Sequence, residues 1–103
     1  MEEFEQLKAA AERGDVEAIY DLGLSYLFGE GTEQDVGKAY DLILAAAQKD
    51  HAPAQSDLGN FYENGIGDEK DLDEAYKWYA AAAEQGNKEA VKKLSKRKFR
   101  KLD

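Results

Sequence analysis

The chain has 103 residues and a formal net charge of −8, and it contains no cysteine. This length fits one domain, and the lack of cysteine excludes disulfides, thiolate metal sites and a cysteine nucleophile. We see neither the basic start and apolar stretch of a secretory signal nor an apolar run that could cross a membrane, so we expect a cytoplasmic protein.

The charge is unevenly distributed along the chain. Residues 1–91 carry 21 acidic and 7 basic side chains, whereas residues 92–103 carry 7 basic side chains and one acidic side chain. The acidic body is expected to repel nucleic acid and anionic membranes. Only the basic tail has the charge to attract them.

The sequence repeats itself with a period of 36 residues. Residues 15–50 align without a gap with residues 51–86, and 14 of the 36 aligned pairs are identical. Such self-similarity is the signature of a repeat array, in which each unit packs on its neighbours. We therefore predict a single domain over 1–103, composed of a half repeat 1–14, repeats 15–50 and 51–86, and a C-terminal capping helix 87–103.

Each unit begins with a segment whose apolar residues recur on one helical face. In the first unit these residues are Ala18, Leu22 and Tyr26, at positions i, i+4 and i+8. Gly23 and its counterpart Gly59 lie inside these segments, although glycine costs a helix roughly 1 kcal/mol relative to alanine. A glycine repeated at one position predicts that another helix approaches closely there.

Glycine and aspartate mark where the helices of each unit end and begin. Gly29 and Gly65 fit the position just beyond a helix C-terminus, and Asp35 and Asp71 are suitable N-caps for the helices that follow. Glu74, three residues after Asp71, predicts a capping box. The predicted helices span residues 2–13, 16–28, 35–49, 52–64, 71–85 and 87–99.

These residues resemble the Sel-one-like repeat, an α/α repeat related to the tetratricopeptide repeat. The shared pattern is A-x-x-x-L-G-x-x-Y-x-x-G-x-G, followed by D-x-x-x-A-Y and an alanine cluster, and the resemblance covers nearly the whole chain. In the first unit the pattern falls on Ala18, Leu22, Gly23, Tyr26, Gly29, Gly31, Asp35, Ala39, Tyr40, Ala46 and Ala47. In the second unit it falls on Ala54, Leu58, Gly59, Tyr62, Gly65, Gly67, Asp71, Ala75, Trp78, Tyr79, Ala82, Ala83 and Gly86.

The resemblance implies an all-α fold, a right-handed α/α superhelical solenoid of about six antiparallel helices. It also implies an adaptor that binds a protein or peptide in a concave groove, catalyses no reaction and needs no cofactor. A bacterial immunity protein that neutralises a secreted toxin is a specific alternative, because a strongly acidic chain would capture a basic toxin quickly.

By the pattern of the related tetratricopeptide repeats, the groove residues lie on the first helix of each unit. The groove is predicted to change from apolar to polar to basic along the chain, and Tyr20, Leu24, Leu27 and Phe28 form its apolar part. The alternative is that Leu24, Leu27 and Phe28 pack against the end of a neighbouring helix. The predicted partner-binding residues are Glu17, Tyr20, Leu24, Leu27, Phe28, Pro53, Ser56, Asn60, Glu63, Asn64, Glu89, Lys92, Lys96, Phe99 and Arg100.

No motif in the sequence predicts a metal or catalytic site. His51 is the only histidine and has no obvious serine or cysteine nucleophile beside it, so we interpret it as a linker residue between the repeats. The acidic run 68–74 lacks the spacing and the central glycine of an EF-hand and is interpreted as a helix cap. The glycine pairs at 29–31 and 65–67 are interpreted as turns, since no Gly-Lys-Ser/Thr follows them.

The basic tail permits two interpretations. We favour a polar capping helix, because a terminal repeat needs a soluble outer face. Nucleic-acid association through the tail is the alternative, and it would depend steeply on salt. We expect no membrane partner, and we expect a monomer or a weak dimer through the ends of the solenoid.

Overall fold

The computed structural model describes residues 3–100, which form seven α-helices and no strand. The helices are α1 (Glu3–Glu12), α2 (Val16–Phe28), α3 (Val36–Gln48), α4 (Ala52–Asn64), α5 (Leu72–Glu84), α6 (Lys88–Leu94) and α7 (Arg97–Arg100). Each helix packs on the next one along the chain. The result is an elongated two-layer solenoid of 49 × 25 × 17 Å, with α2, α4 and α6 in one layer and α1, α3 and α5 in the other.

The helix caps predicted between the two helices of each unit are confirmed. The carboxylates of Asp35 and Asp71 accept hydrogen bonds from the backbone N–H groups three residues on, at 3.0 and 3.1 Å. Gly29 and Gly65 adopt the left-handed conformation, with φ of 71° and 70°, and end α2 and α4. These caps satisfy backbone groups that a helix end would otherwise leave without partners.

The capping box predicted at the start of α5 forms only in part. The backbone N–H of Glu74 donates to Asp71, as expected. The backbone N–H of Asp71, however, donates to the carbonyl of Tyr62, and the carboxylate of Glu74 lies 3.3 Å from Lys77 Nζ. The hydrogen bond from Asp71 N–H to Tyr62 on α4 therefore replaces the capping-box bond to the Glu74 side chain.

The close helix approach predicted at Gly23 and Gly59 is confirmed. A Cβ atom added to Gly59 would lie 2.7 Å from Cδ1 of Tyr79, and one added to Gly23 would lie 2.9 Å from Cδ1 of Ile43. Tyr79 and Ile43 are fully buried in α5 and α3. In each unit, a buried side chain of the second helix therefore packs directly against the glycine of the first helix.

The prediction of one continuous helix over 87–99 is wrong. The chain turns at Ser95, whose hydroxyl donates to the carbonyl of Lys92 at 2.6 Å, and α7 begins two residues later. The turn brings Phe99 edge-to-face against Tyr79, with ring centroids 5.4 Å apart, and buries Phe99 completely. Burial of the Phe99 side chain contributes more to the free energy of folding than the few helical hydrogen bonds lost at the turn.

Among the described residues, no helix has both the length and the apolar character needed to cross a bilayer.

The glycine contacts predict an ordered series of alanine substitutions. Gly59→Ala should lower the free energy of unfolding by about 1–3 kcal/mol, because the ring of Tyr79 is rigid and enclosed. Gly23→Ala should cost less, because the atom it meets is the flexible end of Ile43. Urea denaturation measures the series.

Gly37→Ala is the matched control, because its new Cβ would meet only Asp35 Oδ1, at 3.5 Å. Removing a glycine from a helix without a clash should stabilise the fold by up to about 1 kcal/mol. Equal stability of the Gly59 and Gly37 variants would contradict the close approach.

The fold-back of α7 predicts that two phenylalanines respond differently to truncation. Phe99→Ala should cost about 3 kcal/mol, since the side chain is fully buried. Phe28→Ala should change stability by no more than about 0.5 kcal/mol, since Phe28 is 66% exposed. Thermal unfolding of the two variants tests this difference, and similar losses for both would refute the packing of Phe99.

Candidate functional site

Helices α2, α4 and α6, the first helices of their units, present one surface, the first-helix face. Residues 36 apart occupy equivalent places on these helices, so that Tyr20, Ser56 and Lys92 form one row. Leu24 and Asn60 form another, and Lys96, their counterpart in the sequence, lies in the turn between α6 and α7. The helices of this layer are joined by two polar contacts, one between α2 and α4 and one between α4 and the C-terminal segment.

The contact between α2 and α4 is built around Tyr20 and His51. The hydroxyl of Tyr20 donates to Asp57 Oδ2 at 2.7 Å, and its ring lies against the imidazole of His51, with centroids 4.6 Å apart. His51 Nδ1 accepts from the backbone N–H of Ala54 and so caps α4. Since Nδ1 accepts, Nε2 carries the proton and donates to Glu17 Oε2 at 2.7 Å.

His51 is therefore more than a linker residue, because its side chain ties the first repeat to the start of the second. The same contact affects the ionisation of its neighbours. Burial raises the pKa of Asp57, while the hydrogen bond from Tyr20 opposes that rise. Burial and the adjacent carboxylate of Asp57 raise the pKa of Tyr20.

The contact between α4 and the C-terminal segment is built around Glu63, which is only 6% exposed. Tyr79 donates its hydroxyl to Glu63 Oε1 at 2.7 Å, and Lys98 Nζ lies 2.9 Å from Oε2. Lys93 Nζ lies 3.7 Å from Oε1. Burial alone would raise the pKa of Glu63, but the hydrogen bonds from Lys98 and Tyr79 and the charge of Lys93 outweigh it and lower the pKa.

Three residues predicted to line the groove, Ser56, Glu63 and Phe99, are instead buried. Leu27, Glu63 and Phe99 are equivalent by the 36-residue period. Leu27 packs against the first core cluster, Glu63 is buried, and Phe99 is fully buried. The expectation of exposed Glu63 and Phe99 side chains is corrected. Glu63 on α4 is covered by Tyr79, Lys93 and Lys98, and the turn at Ser95 buries Phe99 against Tyr79.

The four residues of the predicted apolar groove do not all behave alike: some pack inside the molecule, and one is exposed to solvent. Leu24 and Leu27 are half-buried and pack against the first core cluster. Phe28 is 66% exposed at the C-terminal end of α2. Tyr20 is half-buried in the contact with Asp57 and His51. Only Phe28 of the four presents most of its side chain to solvent.

The other predicted residues differ in exposure. Ser56 is 5% exposed, and Asn60 is half-buried and lines the same cavity as Tyr79. The remaining members of the set are exposed, namely Glu17, Pro53, Asn64, Glu89, Lys92, Lys96 and Arg100. Their role in binding stays a prediction.

A cavity of about 250 Å³ opens between α4 and α6. Three residues of its lining, Ser56, Asn60 and Glu89, are predicted groove residues. The other three, Asp57, Lys93 and Tyr79, are not among the residues predicted from the sequence. Asp57 has an identical counterpart, Asp21, in the first unit. This identity could have marked Asp57 as a functional residue, but the repeat pattern explains it equally well. A second cavity, of about 360 Å³, lies between α1 and the turn after α2.

No group of three or more histidine, cysteine, aspartate or glutamate side chains within residues 3–100 is arranged to hold a metal ion. In the acidic run 68–74, Asp71 caps α5 and Asp68 accepts a hydrogen bond from the backbone N–H of Glu69. The run therefore acts on the backbone at the start of a helix.

Comparison with models of known protein families identifies the family of this chain. The Sel1 repeat family model matches residues 16–51 and 52–87. The chain belongs to the Sel1 repeat family. Sel1 repeat proteins generally serve as protein-interaction modules, and their fold is typically a non-catalytic scaffold.

Solved Sel1 repeat structures share this fold. A Sel1 repeat protein from Oxalobacter formigenes is 40% identical, with a TM-score of 0.84, over 86% of this chain and 67% of that one. A protective antigen present in uropathogenic Escherichia coli strains, which displays an SLR fold, is 41% identical with a TM-score of 0.81. The match to the antigen covers 84% of this chain and 18% of the antigen, so this chain spans only a small part of its length. No curated protein matches the chain.

The ionic contacts of Glu63 predict a pH-dependent contribution to the stability of this Sel1 repeat protein. Glu63→Gln should lower the free energy of unfolding by about 1–2 kcal/mol near neutral pH. Because the pKa of Glu63 is lowered by folding, the contribution is fully present above the ordinary value of 4.5 and is lost as the pH falls through the lower folded value. The stability difference from wild type should therefore shrink in acid.

Urea denaturation at several pH values measures this difference. Glu84→Gln is the matched control, because Glu84 is exposed on α5. It should change stability little at any pH. A Glu63→Gln difference that stays constant down to about pH 3 would contradict the ionic role.

Proposed function

We propose that the chain is a non-enzymatic binding module that holds a protein or peptide on its first-helix face. The observation that carries the proposal is the combination of the Sel1 repeat fold with an exposed aromatic residue, Phe28, on that face. Exposed aromatic side chains beside other apolar groups are typical anchors of protein interfaces. Leu24 and Leu27 provide the half-buried apolar surroundings.

The charge of the first-helix face favours a basic or mixed-charge partner. Glu17 is exposed on α2, exposed Glu89 and Lys92 give α6 charges of both signs, and the body of the chain is strongly acidic. An acidic surface accelerates encounters with a basic protein and discourages acidic ones. Neutralisation of a basic toxin is one form that such binding would take.

Nucleic-acid association through the tail receives less support from the contacts. Lys93 and Lys98 both interact with the buried Glu63, so part of the positive charge of the tail is balanced within the molecule. A nucleic-acid site needs clustered basic groups that are available to phosphates. We therefore place protein binding ahead of this alternative.

Loss of partner binding in a first-helix-face variant tests the proposal. In Phe28→Ser with Asn64→Arg, two exposed residues that are equivalent in successive repeats are changed together. The variant should lose at least about tenfold in affinity for a partner captured by the wild-type chain, because an aromatic anchor is removed and a bulky charge is added. Isothermal titration with the purified partner measures the affinity.

A matched variant of the other layer provides the control. Val36→Ser with Gln48→Arg makes the same kinds of change at exposed positions of α3. It should bind the partner as the wild type does. Equal loss in both variants, or loss only in the α3 variant, would refute the assignment to the first-helix face.

A further inference from the structure

The cavity between α4 and α6 contains a hydroxyl group without a partner. Ser56 is only 5% exposed, and it lines the cavity. Its side chain makes no hydrogen bond among residues 3–100. No completely enclosed side-chain polar atom in this part of the chain lacks a partner. The Oγ of Ser56 is therefore not completely enclosed, and because Ser56 lines the cavity, its hydroxyl is available to a polar group bound there.

Two carboxylates line the same cavity. Asp57 is half-buried and uses Oδ2 to accept the hydroxyl of Tyr20, and Glu89 is exposed on α6. The negative charge of Glu89 acts on Asp57 across the cavity and contributes to the rise in the pKa of that carboxyl, after the larger effect of burial. Two acids held near each other in this way are stabilised by a cation placed between them.

The basic residue in the lining is already engaged. Lys93 Nζ lies 3.7 Å from Glu63 Oε1, and Lys93 is 19% exposed at its side chain. Lys93 therefore balances part of the charge of the buried Glu63. The cavity volume of about 250 Å³ is far larger than the ~10–15 Å³ that a single water requires.

We propose that this cavity binds a basic side chain of the protein partner, with Asp57 and Glu89 as its charge partners and Ser56 as a hydrogen-bond acceptor. Arginine fits better than lysine, because its planar fork of five N–H donors can serve several separate acceptors at once. The inference rests on the proposed function, since the partner must approach the first-helix face. It adds the chemical class of one group that the partner presents.

Nuclear magnetic resonance with the full chain labelled with ¹⁵N tests the inference directly. The probes are acetylated and amidated Gly-Arg-Gly and Gly-Lys-Gly, and the control probe carries citrulline, which has nearly the shape of arginine without the charge. The arginine peptide should shift the amide resonances of Ser56, Asp57 and Glu89 in a saturable way. The citrulline peptide should bind at least about tenfold more weakly.

Matched variants connect the shifts to the cavity. Glu89→Gln should weaken arginine-peptide binding by about threefold or more, and Ser56→Ala should weaken it to a smaller extent. Glu84→Gln removes the same charge from α5, outside the lining, and should leave binding unchanged. Unchanged resonance dispersion in each variant establishes that it is folded.

Three results would overturn the inference: equal shifts with arginine and citrulline, shifts located away from the cavity, or no saturable shift with any probe. Binding that Glu89→Gln and Glu84→Gln weaken equally would also overturn it, because general attraction to an acidic protein would then explain the result. Phe28 and Asn64 lie outside the cavity lining. A partner that is sensitive to their variant but indifferent to Glu89→Gln would therefore remove this inference and leave the proposed function standing.

Discussion

The fold depends on the contact between a glycine in the first helix of each repeat and a large side chain in the second. At Gly59 the ring of Tyr79 occupies the space where any other residue would place its Cβ, and at Gly23 Ile43 does so. This contact sets how closely the two helices of a unit approach. It also fixes the position of Tyr79, whose hydroxyl reaches Glu63 and whose ring receives Phe99. The intra-repeat approach thus determines where the contacts between repeats are formed.

The contacts between successive units differ in polarity although the helices repeat. The position of Leu27 is apolar in the first unit, acidic as Glu63 in the second and aromatic as Phe99 in the last segment. A buried acid is costly unless hydrogen bonds and opposite charges compensate for it. Here Tyr79, Lys93 and Lys98 supply them. The polar contact therefore requires the C-terminal segment to take one particular position, which a purely apolar contact would specify less strictly.

This use of charge within the molecule changes what remains available at the surface. Two lysines of the basic tail contact Glu63, whereas Asp57 and Glu89 line a cavity whose basic residue, Lys93, is one of those two lysines. An acidic recess beside internally balanced bases is suited to a cationic group supplied from outside. Phe28, at the other end of the first-helix face, offers an apolar anchor of a different kind. A partner with one basic and one apolar contact would match both features.

The helical repeat is predictable from the sequence, because glycines, caps and apolar spacing are local signals that recur every 36 residues. The sequence was sufficient for the N-caps at Asp35 and Asp71, the left-handed ends at Gly29 and Gly65, and the close approach at Gly23 and Gly59. Three features depend instead on tertiary contacts: the break of the last helix at Ser95, the burial of Glu63 and Phe99, and the link that His51 makes between two repeats. The reason is physical: Ser95 and its neighbours are all compatible with a helix, and the burial of Phe99 against Tyr79 is an energy between residues distant in the chain. No local pattern encodes a contact of that kind.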